Sequence, residues 1–304
     1  MTPIMLGIIG AQGFANSPHS SVVEAQPDRF QIAAVYDPSP GRGLQWSGRS
    51  HAAAYNSLRD LLSHQELDAV FIARSAASAR YDAAQTALEA GLHVVLERPM
   101  AASTAQCDQL IQRARRKGVT LTVAHLRRWD HQTAHALSRI DSGEIGDPLI
   151  VKIAGPLPEE GGLLFSDGLD MLDLAQLFNE SRLQEVSAAP NARSDDALES
   201  LTALFRFEEP PCVELSLLPS SKSPFPLPRL TVIGKRGAIV DSSPLDAPSA
   251  QGFYDGLWKS VRQRAKAPVM ASSARNAVYL AESVLESARL GCAVQTERLL
   301  KAVE

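Results

Sequence analysis

The stretch Gly7-Ile-Ile-Gly-Ala-Gln-Gly-Phe-Ala15 decides the fold of the first part of this chain. It closes the apolar run Ile4–Ile9, which predicts a buried β-strand, and it leads into residues that can open a helix. Gly10 would supply the tight turn between strand and helix, and Gly13 and Ala15 would allow the two elements to pack closely. Because free N–H groups at a helix start attract anions, this turn predicts a phosphate-binding site.

An acidic residue closes the next predicted strand. Asp37 follows the run Gln31–Tyr36, where a carboxylate can accept hydrogen bonds from the ribose hydroxyls of an adenosine. Together with the glycine turn it predicts a dinucleotide site that favours NAD over NADP, since a carboxylate repels a 2′-phosphate. Arg42 and Arg49 lie nearby and keep NADP open. Gln12 replaces the usual middle glycine, so its side chain is expected near the pyrophosphate.

The order of the apolar runs predicts two domains. Residues 1–124 alternate short apolar runs with helical stretches such as Ser103–Lys117, which is typical of a doubly wound parallel α/β sheet of the Rossmann type. In residues 125–304 longer alternating runs follow one another, among them Ser200–Phe207 and Val213–Leu218. This second pattern predicts an α+β domain with a large mixed, mostly antiparallel sheet.

The composition argues against several classes of protein. Charged residues make up 21% of the 304 residues and the formal net charge is −4, so nucleic acid is not an expected partner. The start lacks a basic region followed by an apolar segment, and the sequence holds no apolar run of membrane-spanning length, so we expect a cytoplasmic protein without membrane insertion. Cys107, Cys212 and Cys292 are too widely spaced to indicate a disulfide framework or a zinc site.

Further sequence motifs follow one another along the chain. They are Leu67-Asp-Ala-Val-Phe-Ile-Ala73, Glu97-Arg-Pro99, Arg127-Arg-Trp-Asp130, Ser142-Gly-Glu-Ile-Gly146 and Leu230-Thr-Val-Ile-Gly-Lys-Arg-Gly237. With the glycine turn, they make the sequence resemble the glucose-fructose oxidoreductase, inositol dehydrogenase and rhizopine-catabolism family, Gfo/Idh/MocA, over nearly its whole length. The most specific of these motifs is Glu97-Arg-Pro99, which corresponds to the family's Glu-Lys-Pro.

The resemblance implies a Rossmann domain followed by a mixed-sheet domain, with homodimers or homotetramers formed through that second sheet. Members move a hydride between a nicotinamide and a carbonyl or hydroxyl group of a sugar, a cyclitol or a similar small molecule. The residues then expected to bind NAD or NADP are Gly10, Gln12, Gly13, Phe14, Ala15, Asp37, Ala73, Arg74, Glu97 and Arg98.

Both chemical residues of the family are replaced in this sequence. The motif lysine, which lies beside the substrate oxygen in members of the family, is Arg98 here. Arginine can stabilise a developing alkoxide by its charge but cannot exchange a proton. The family's general acid or base histidine corresponds to Asp170, which would need burial or the neighbouring Asp173 to raise its pKa into a useful range.

Three polar residues would share one face of a helix. Ser166, Asp170 and Asp173 fall within a narrow arc at helical spacing, so we expect Asp170 and Asp173, with Arg98, to be catalytic and Ser166 to contact substrate. No histidine or third acid completes a set of metal ligands at this spacing, so a metal ion is not expected.

Several arginines are expected near the substrate. Their charge would favour a carboxylate or another anionic group on the substrate, and Arg127 and Arg128 are the predicted substrate contacts. Ion pairs with Asp130 and Glu97 are the alternative role for this group. The arginines concerned are Arg74, Arg98, Arg127 and Arg128.

Three functions are compatible with these features. The first is an NAD(P)-dependent oxidoreductase that acts on a small carbonyl, hydroxyl or imine substrate. The second is a non-catalytic regulatory protein that binds a dinucleotide or metabolite on the same scaffold, and the third is a folded relic with neither property. The retained glycine turn and Asp37 favour the first function.

Overall fold

The chain folds into two compact units. The computed structural model describes residues 2–39, 41–43, 52–73, 77–157, 167–192, 198–219, 223, 227, 229–240 and 249–296. The first unit contains Met1–His125 and Ser249–Arg275, and the second contains Leu126–Pro248 and Asn276–Glu304. The change of unit after residue 125 lies beside the boundary predicted at residue 124, whereas residues 249–275, expected in the second domain, return to the first unit.

A six-stranded parallel sheet forms the centre of the first unit, in the order β3-β2-β1-β4-β5-β6. All four residues of the strand Ala69–Ile72 are buried, as expected where helices cover both faces of a parallel sheet. This arrangement confirms the predicted doubly wound sheet. The strands are β1 (Ile4–Ile9), β2 (Phe30–Tyr36), β3 (Ala53–Tyr55), β4 (Ala69–Ile72), β5 (His93–Leu96) and β6 (Leu121–Val123).

A seven-stranded mixed sheet forms the second unit, in the order β12-β11-β7-β10-β9-β8-β13. One neighbouring pair, β7 with β10, is parallel, and the other pairs are antiparallel. The predicted mixed, mostly antiparallel sheet is therefore confirmed. The strands are β7 (Pro148–Leu157), β8 (Leu183–Ala192), β9 (Leu198–Phe207), β10 (Cys212–Pro219), β11 (Arg229–Gly234), β12 (Ala238–Val240) and β13 (Val294–Gln295).

Both units contain helices. Helix α5 shows how local sequence sets their limits, since the Ser103 hydroxyl accepts the Gln106 N–H at its start and Gly118 ends it at a φ of 66°. Among the described residues, no helix combines the length and the apolar character needed to cross a bilayer. The helices are α1 (Ala11–Ala15), α2 (Pro18–Glu24), α3 (Leu58–Leu62), α4 (Ala77–Glu89), α5 (Thr104–Lys117), α6 (His131–Asp141), α7 (Asp167–Phe178), α8 (Gln251–Gln263) and α9 (Ala271–Leu290).

Helix α8 explains why residues 249–275 belong to the first unit. Its residues Phe253, Tyr254 and Leu257 are fully buried, and the helix packs beside β1 and α2. At its far end the Arg262 guanidinium donates to both oxygens of Asp68, at 3.1 and 2.5 Å. The apolar face of this helix thus completes the core of the first unit, which the linear order of the sequence does not reveal.

Helix α7 lies directly on the second sheet. Leu169 and Leu172 on this helix are fully buried. A Cβ atom added at Gly155 of β7 would lie 2.5 Å from Cγ of Met171, so this close approach requires glycine. The packing fixes the buried position of α7, which carries two of the predicted site residues.

Candidate functional site

The first feature of the candidate site is the turn between β1 and α1. Gly10 has a φ of 88°, in the left-handed region, and stands at the N-cap of α1. A Cβ atom added there would lie 3.2 Å from the Cβ of Ala73, which follows β4. Gly10 also donates its N–H to the carbonyl oxygen of Tyr36 at 2.8 Å. Conformation and space therefore both require glycine at this turn.

The two halves of the predicted fingerprint are in direct contact. The Gln12 N–H donates to one carboxylate oxygen of Asp37 at 3.1 Å, and the Ser39 N–H donates to the other at 2.9 Å. Each oxygen keeps lone-pair capacity for a further donor such as a ribose hydroxyl. The Gln12 side chain runs along the helix, where its Nε2 donates to Oδ1 of Asn16 at 3.2 Å.

A hollow lies beside Asp37. It has a volume of about 280 Å³ and could hold the sugar and base of a nucleoside. Sequence reasoning missed Tyr55 and Asn56 in its wall, because the three-residue strand β3 gives only a short apolar signal. The lining residues are Asp37, Pro38, Ser39, Gly41, Gly43, Ala54, Tyr55 and Asn56.

Four predicted cofactor residues follow four neighbouring strands. Gly10, Asp37, Ala73 and Glu97 come directly after β1, β2, β4 and β5, which are adjacent in the sheet. Because parallel strands end at one edge of a sheet, these residues share the edge where doubly wound folds bind their ligands. The left-handed turn, the carboxylate and the adjoining hollow therefore fit an adenine dinucleotide.

The remaining predicted cofactor residues differ in what their side chains can contact. Phe14 is fully buried and its ring lies 5.0 Å from the ring of Phe71, so its side chain belongs to the core. Gly13 is exposed and Ala15 is partly buried. Arg74 lies outside the described residues, as do Ser166 and Arg49.

Glu97 of the Glu97-Arg-Pro99 motif contacts two basic side chains. Its Oε1 lies 3.1 Å from Nε2 of His19, and its Oε2 lies 3.7 Å from Nη1 of Arg98. Burial alone would raise the pKa of Glu97, but the hydrogen bond from His19 and the positive charges of Arg98 and Arg80 outweigh burial and lower it. Glu97 therefore lies between an imidazole and a guanidinium. The pair with Arg98 matches the alternative role considered for that arginine, whereas sequence reasoning missed the contact with His19.

In the second unit, two predicted site residues bind each other. Arg128 donates from Nε and Nη2 to the two oxygens of Asp173, at 2.7 and 2.6 Å. The side chain of Asp173 is 0% exposed and that of Arg128 is 13% exposed. Burial would lower the pKa of Arg128, but its charge and hydrogen-bond interactions with Asp173 raise it. This buried pair contains a predicted catalytic residue and a predicted substrate residue.

Arg127 and Asp170 are the other predicted site residues of the second unit that the structure describes. Arg127 donates from Nη1 to Oδ2 of Asp130 at 2.9 Å, which matches the ion pair considered as its alternative role. Asp170 lies on α7 with Asp173 and is 5% exposed. The catalytic role of Asp170 and the substrate role of Arg127 remain predictions.

Comparisons with known proteins place the first domain in a recognised class. Residues 4–125 match the model of the Gfo/Idh/MocA oxidoreductase family, NAD-binding Rossmann fold. The uncharacterized oxidoreductase YrbE of Bacillus subtilis is 31% identical over 196 residues, which are 61% of this chain and 56% of that protein. Inositol 2-dehydrogenase of Salmonella paratyphi B is 31% identical over 148 residues, 48% of this chain and 44% of that protein. The chain thus spans about half the length of the curated relatives it matches.

A solved structure extends the likeness in fold to the whole chain. The WlbA dehydrogenase of Bordetella pertussis, in complex with NADH and UDP-GlcNAcA, superposes with a TM-score of 0.84 at 18% identity. The superposition covers 98% of this chain and 100% of that chain. The family model confirms the predicted resemblance for residues 4–125, and the superposition confirms the fold that the resemblance implies for the whole chain.

Proposed function

Because its first domain belongs to the Gfo/Idh/MocA oxidoreductase family, with an NAD-binding Rossmann fold, we propose that this chain is an NAD(P)-dependent oxidoreductase. It would transfer a hydride between a nicotinamide and a small carbonyl, hydroxyl or imine substrate. The observation that carries the proposal is the contact between the Gln12 N–H and the Asp37 carboxylate, which joins both halves of the dinucleotide fingerprint at one sheet edge.

The proposed cofactor contacts divide along the dinucleotide. The glycine turn at Gly10, with the backbone of Gln12 to Ala15, would receive the pyrophosphate, and Asp37 would bind the adenosine ribose. Ala73, Arg74, Glu97 and Arg98 would line the nicotinamide end. NAD is favoured because the Asp37 carboxylate repels a 2′-phosphate.

The nicotinamide would supply or accept the hydride, and residues of the chain would manage charge and protons. Arg98 would stabilise negative charge on the substrate oxygen, since a guanidinium keeps its proton. Asp170, which lies buried on α7, would hold or release the proton. Asp173 would act with Arg128, and Ser166, Arg127 and Arg128 would bind a substrate with an anionic group.

The curated relatives suggest the kind of substrate. One of them is named as an inositol dehydrogenase, so a cyclitol or sugar is a reasonable first class to test. The arginines predicted at the site favour a polyol that also carries a carboxylate. The cytoplasm, where nicotinamide cofactors and small metabolites meet, is the proposed location.

The second sheet offers a face for self-association. On β7 Ile150 and Lys152 are both exposed, and on β9 Leu204 is 48% exposed. Lys152 and Leu204 flank Glu214 of β10 in the same register, so these side chains share one face. Partly apolar exposed faces favour protein contacts, and we propose a homodimer or homotetramer through this sheet.

Nucleotide binding tests the proposal directly. Purified protein is titrated with NADH and NADPH while its melting temperature is followed, since a ligand of the native state raises stability. Asp37→Asn should weaken NADH binding about 10- to 100-fold, because hydrogen bonds to a charged group contribute about 1.5–3 kcal/mol. Asp28→Asn, at the opposite end of β2, is the matched control. Unchanged melting with both nucleotides at millimolar concentration would contradict the proposal.

A non-catalytic dinucleotide-binding regulator is the second candidate function. The specific observation in its favour is that Asp173 gives both oxygens to Arg128 while Arg98 cannot exchange a proton. It predicts NADH binding without turnover over keto acids, sugars, cyclitols and imines. Turnover of any of these substrates would exclude it.

A further inference from the structure

Three buried side chains from distant parts of the chain form a hydrogen-bonded row in the first unit. The hydroxyl of Tyr254 on α8 lies 3.2 Å from Nδ1 of His19 on α2. Nε2 of the same imidazole lies 3.1 Å from Oε1 of Glu97, directly after β5. His19 is 1% exposed and Tyr254 is fully buried, so water does not compete for these bonds.

The protonated phenol sets the direction of both hydrogen bonds around a neutral imidazole. Burial raises the pKa of Tyr254 well above its usual value, and the nearby charge of Glu97 raises it further, so the phenol keeps its proton. A phenol that donates to Nδ1 leaves the imidazole proton on Nε2, because a neutral imidazole has one donor and one acceptor nitrogen. His19 then donates that proton to Glu97.

Aromatic rings hold the imidazole in place. The His19 ring lies 4.6 Å from the ring of Phe71 and 6.4 Å from that of Phe253. With one oxygen of Glu97 bound to this fixed ring, the other is left toward Arg98 at 3.7 Å. The next residue of the motif, Pro99, is held separately, because Arg80 donates from Nη1 to its carbonyl oxygen at 2.6 Å.

We propose that Tyr254 and His19 are positioning residues that orient the Glu97 carboxylate and, through it, the Arg98 guanidinium. Tyr254 of helix α8 thereby acts on Glu97, which lies 157 positions earlier in the chain. The inference rests on the proposed function for the task of Arg98, whereas the arrangement of the row itself can be measured without any substrate.

The first experiment follows the imidazole by NMR of protein with ¹⁵N-labelled histidine. In the wild-type protein His19 should show a single tautomer, with the proton on Nε2. Tyr254→Phe removes the hydroxyl and keeps the ring, so Nε2 should stay protonated on Glu97 while the ¹⁵N resonance of Nδ1, which loses its hydrogen-bond donor, should shift. Thr122→Val is the matched control, since it deletes another fully buried hydroxyl, which binds the carbonyl oxygen of Val269 in the same unit. An Nδ1 resonance in Tyr254→Phe equal to that of the wild type would overturn the inference.

A second measurement follows Glu97 by titration of its ¹³C-labelled carboxyl group. Its pKa should lie below the usual range in the wild type and rise in His19→Leu. His19→Gln retains an N–H donor near the position of Nε2 and should restore most of the lowering. Equal pKa values for Glu97 in the Leu and Gln variants would show that the imidazole does not orient this carboxylate.

Function supplies the third readout. Tyr254→Phe should lower turnover while leaving the NADH dissociation constant close to that of the wild type, because Gly10 and Asp37 are untouched. Absence of NADH binding in the wild type would refute the proposed function and leave the NMR results standing. Normal turnover in Tyr254→Phe would refute the positioning role and leave the proposed function intact.

Discussion

The buried ion pair in the second unit gives the sharpest stability prediction. Asp173→Asn keeps the shape of the side chain but leaves Arg128, which is 13% exposed, without its opposite charge. Removal of one partner of a buried pair costs about 3–5 kcal/mol, and the partial exposure of Arg128 favours the lower end, about 3 kcal/mol. The double variant Arg128→Met with Asp173→Leu should recover all but about 1 kcal/mol, because it leaves no buried charge.

Urea unfolding measures this effect within the second unit. The sequence has three tryptophans, so in a Trp46→Phe and Trp258→Phe background the fluorescence reports on Trp129 beside Arg128. Glu286→Gln serves as the control, since Glu286 accepts two bonds from Arg289 on the surface and its loss should change the midpoint little.

The same experiment distinguishes a structural role of Asp173 from a catalytic one. A reacting carboxylate would lose turnover in Asp173→Asn with unchanged stability, whereas the ion pair predicts a lower urea midpoint. A midpoint equal to that of the parent, or a double variant as unstable as the single one, would refute the reasoning.

Three further predictions concern the first unit. Gly10→Ala should lower the free energy of unfolding by about 1–3 kcal/mol and abolish NADH binding, because an L residue is strained at a φ of 88° and its Cβ would lie 3.2 Å from Ala73. An unchanged melting temperature would contradict this prediction. The pKa of Glu97 is lowered on folding, so the stability that the Glu97 carboxylate contributes is present above its usual pKa near 4.5 and is lost as pH falls through its folded pKa. In Glu97→Gln the free energy of unfolding should therefore fall less steeply at acid pH. An equally steep fall would contradict the proposed contacts of Glu97. Arg262→Ala should lower the unfolding free energy by about 1–3 kcal/mol through loss of two hydrogen bonds to Asp68, and urea unfolding without a change would exclude that role for the pair.

Local sequence patterns were enough to predict most strands of the first unit. Strands β1 and β5 have the limits expected from their apolar runs, since buried parallel strands contain few polar residues. The three-residue strand β3 was not predicted because so short a segment resembles a loop. Strand β8 was also missed, because Pro190 and Asn191 interrupt its pattern near one end. Helix α8 shows the limit of order along the chain, since β1 and α2, beside which it packs, lie more than 200 residues earlier.

The candidate site was predictable to the same degree. Gly10 and Asp37 stand at strand ends, where a local pattern is enough, and the structure brings them to one edge. The contacts of Glu97 depend on His19, 78 residues away, and Arg128 meets Asp173 across 45 residues. Such pairs cannot be read from spacing along one helix or strand. The sequence nominated Asp130 as an ion-pair partner, and Arg127, three residues before it, is the arginine that binds it.

These ion pairs limit which of the predicted catalytic residues can donate a proton to substrate. Arg98 keeps its proton, and Asp173 has both oxygens engaged by Arg128. Asp170, buried on α7, is then the remaining acid among the predicted catalytic residues. In the proposed reaction, a ketone reduced to an alcohol would need a proton on its oxygen as negative charge develops, and Asp170 or water would have to supply it. An imine that is already protonated would need no such donor, so imines are the proposed substrates that place the smallest demand on Asp170.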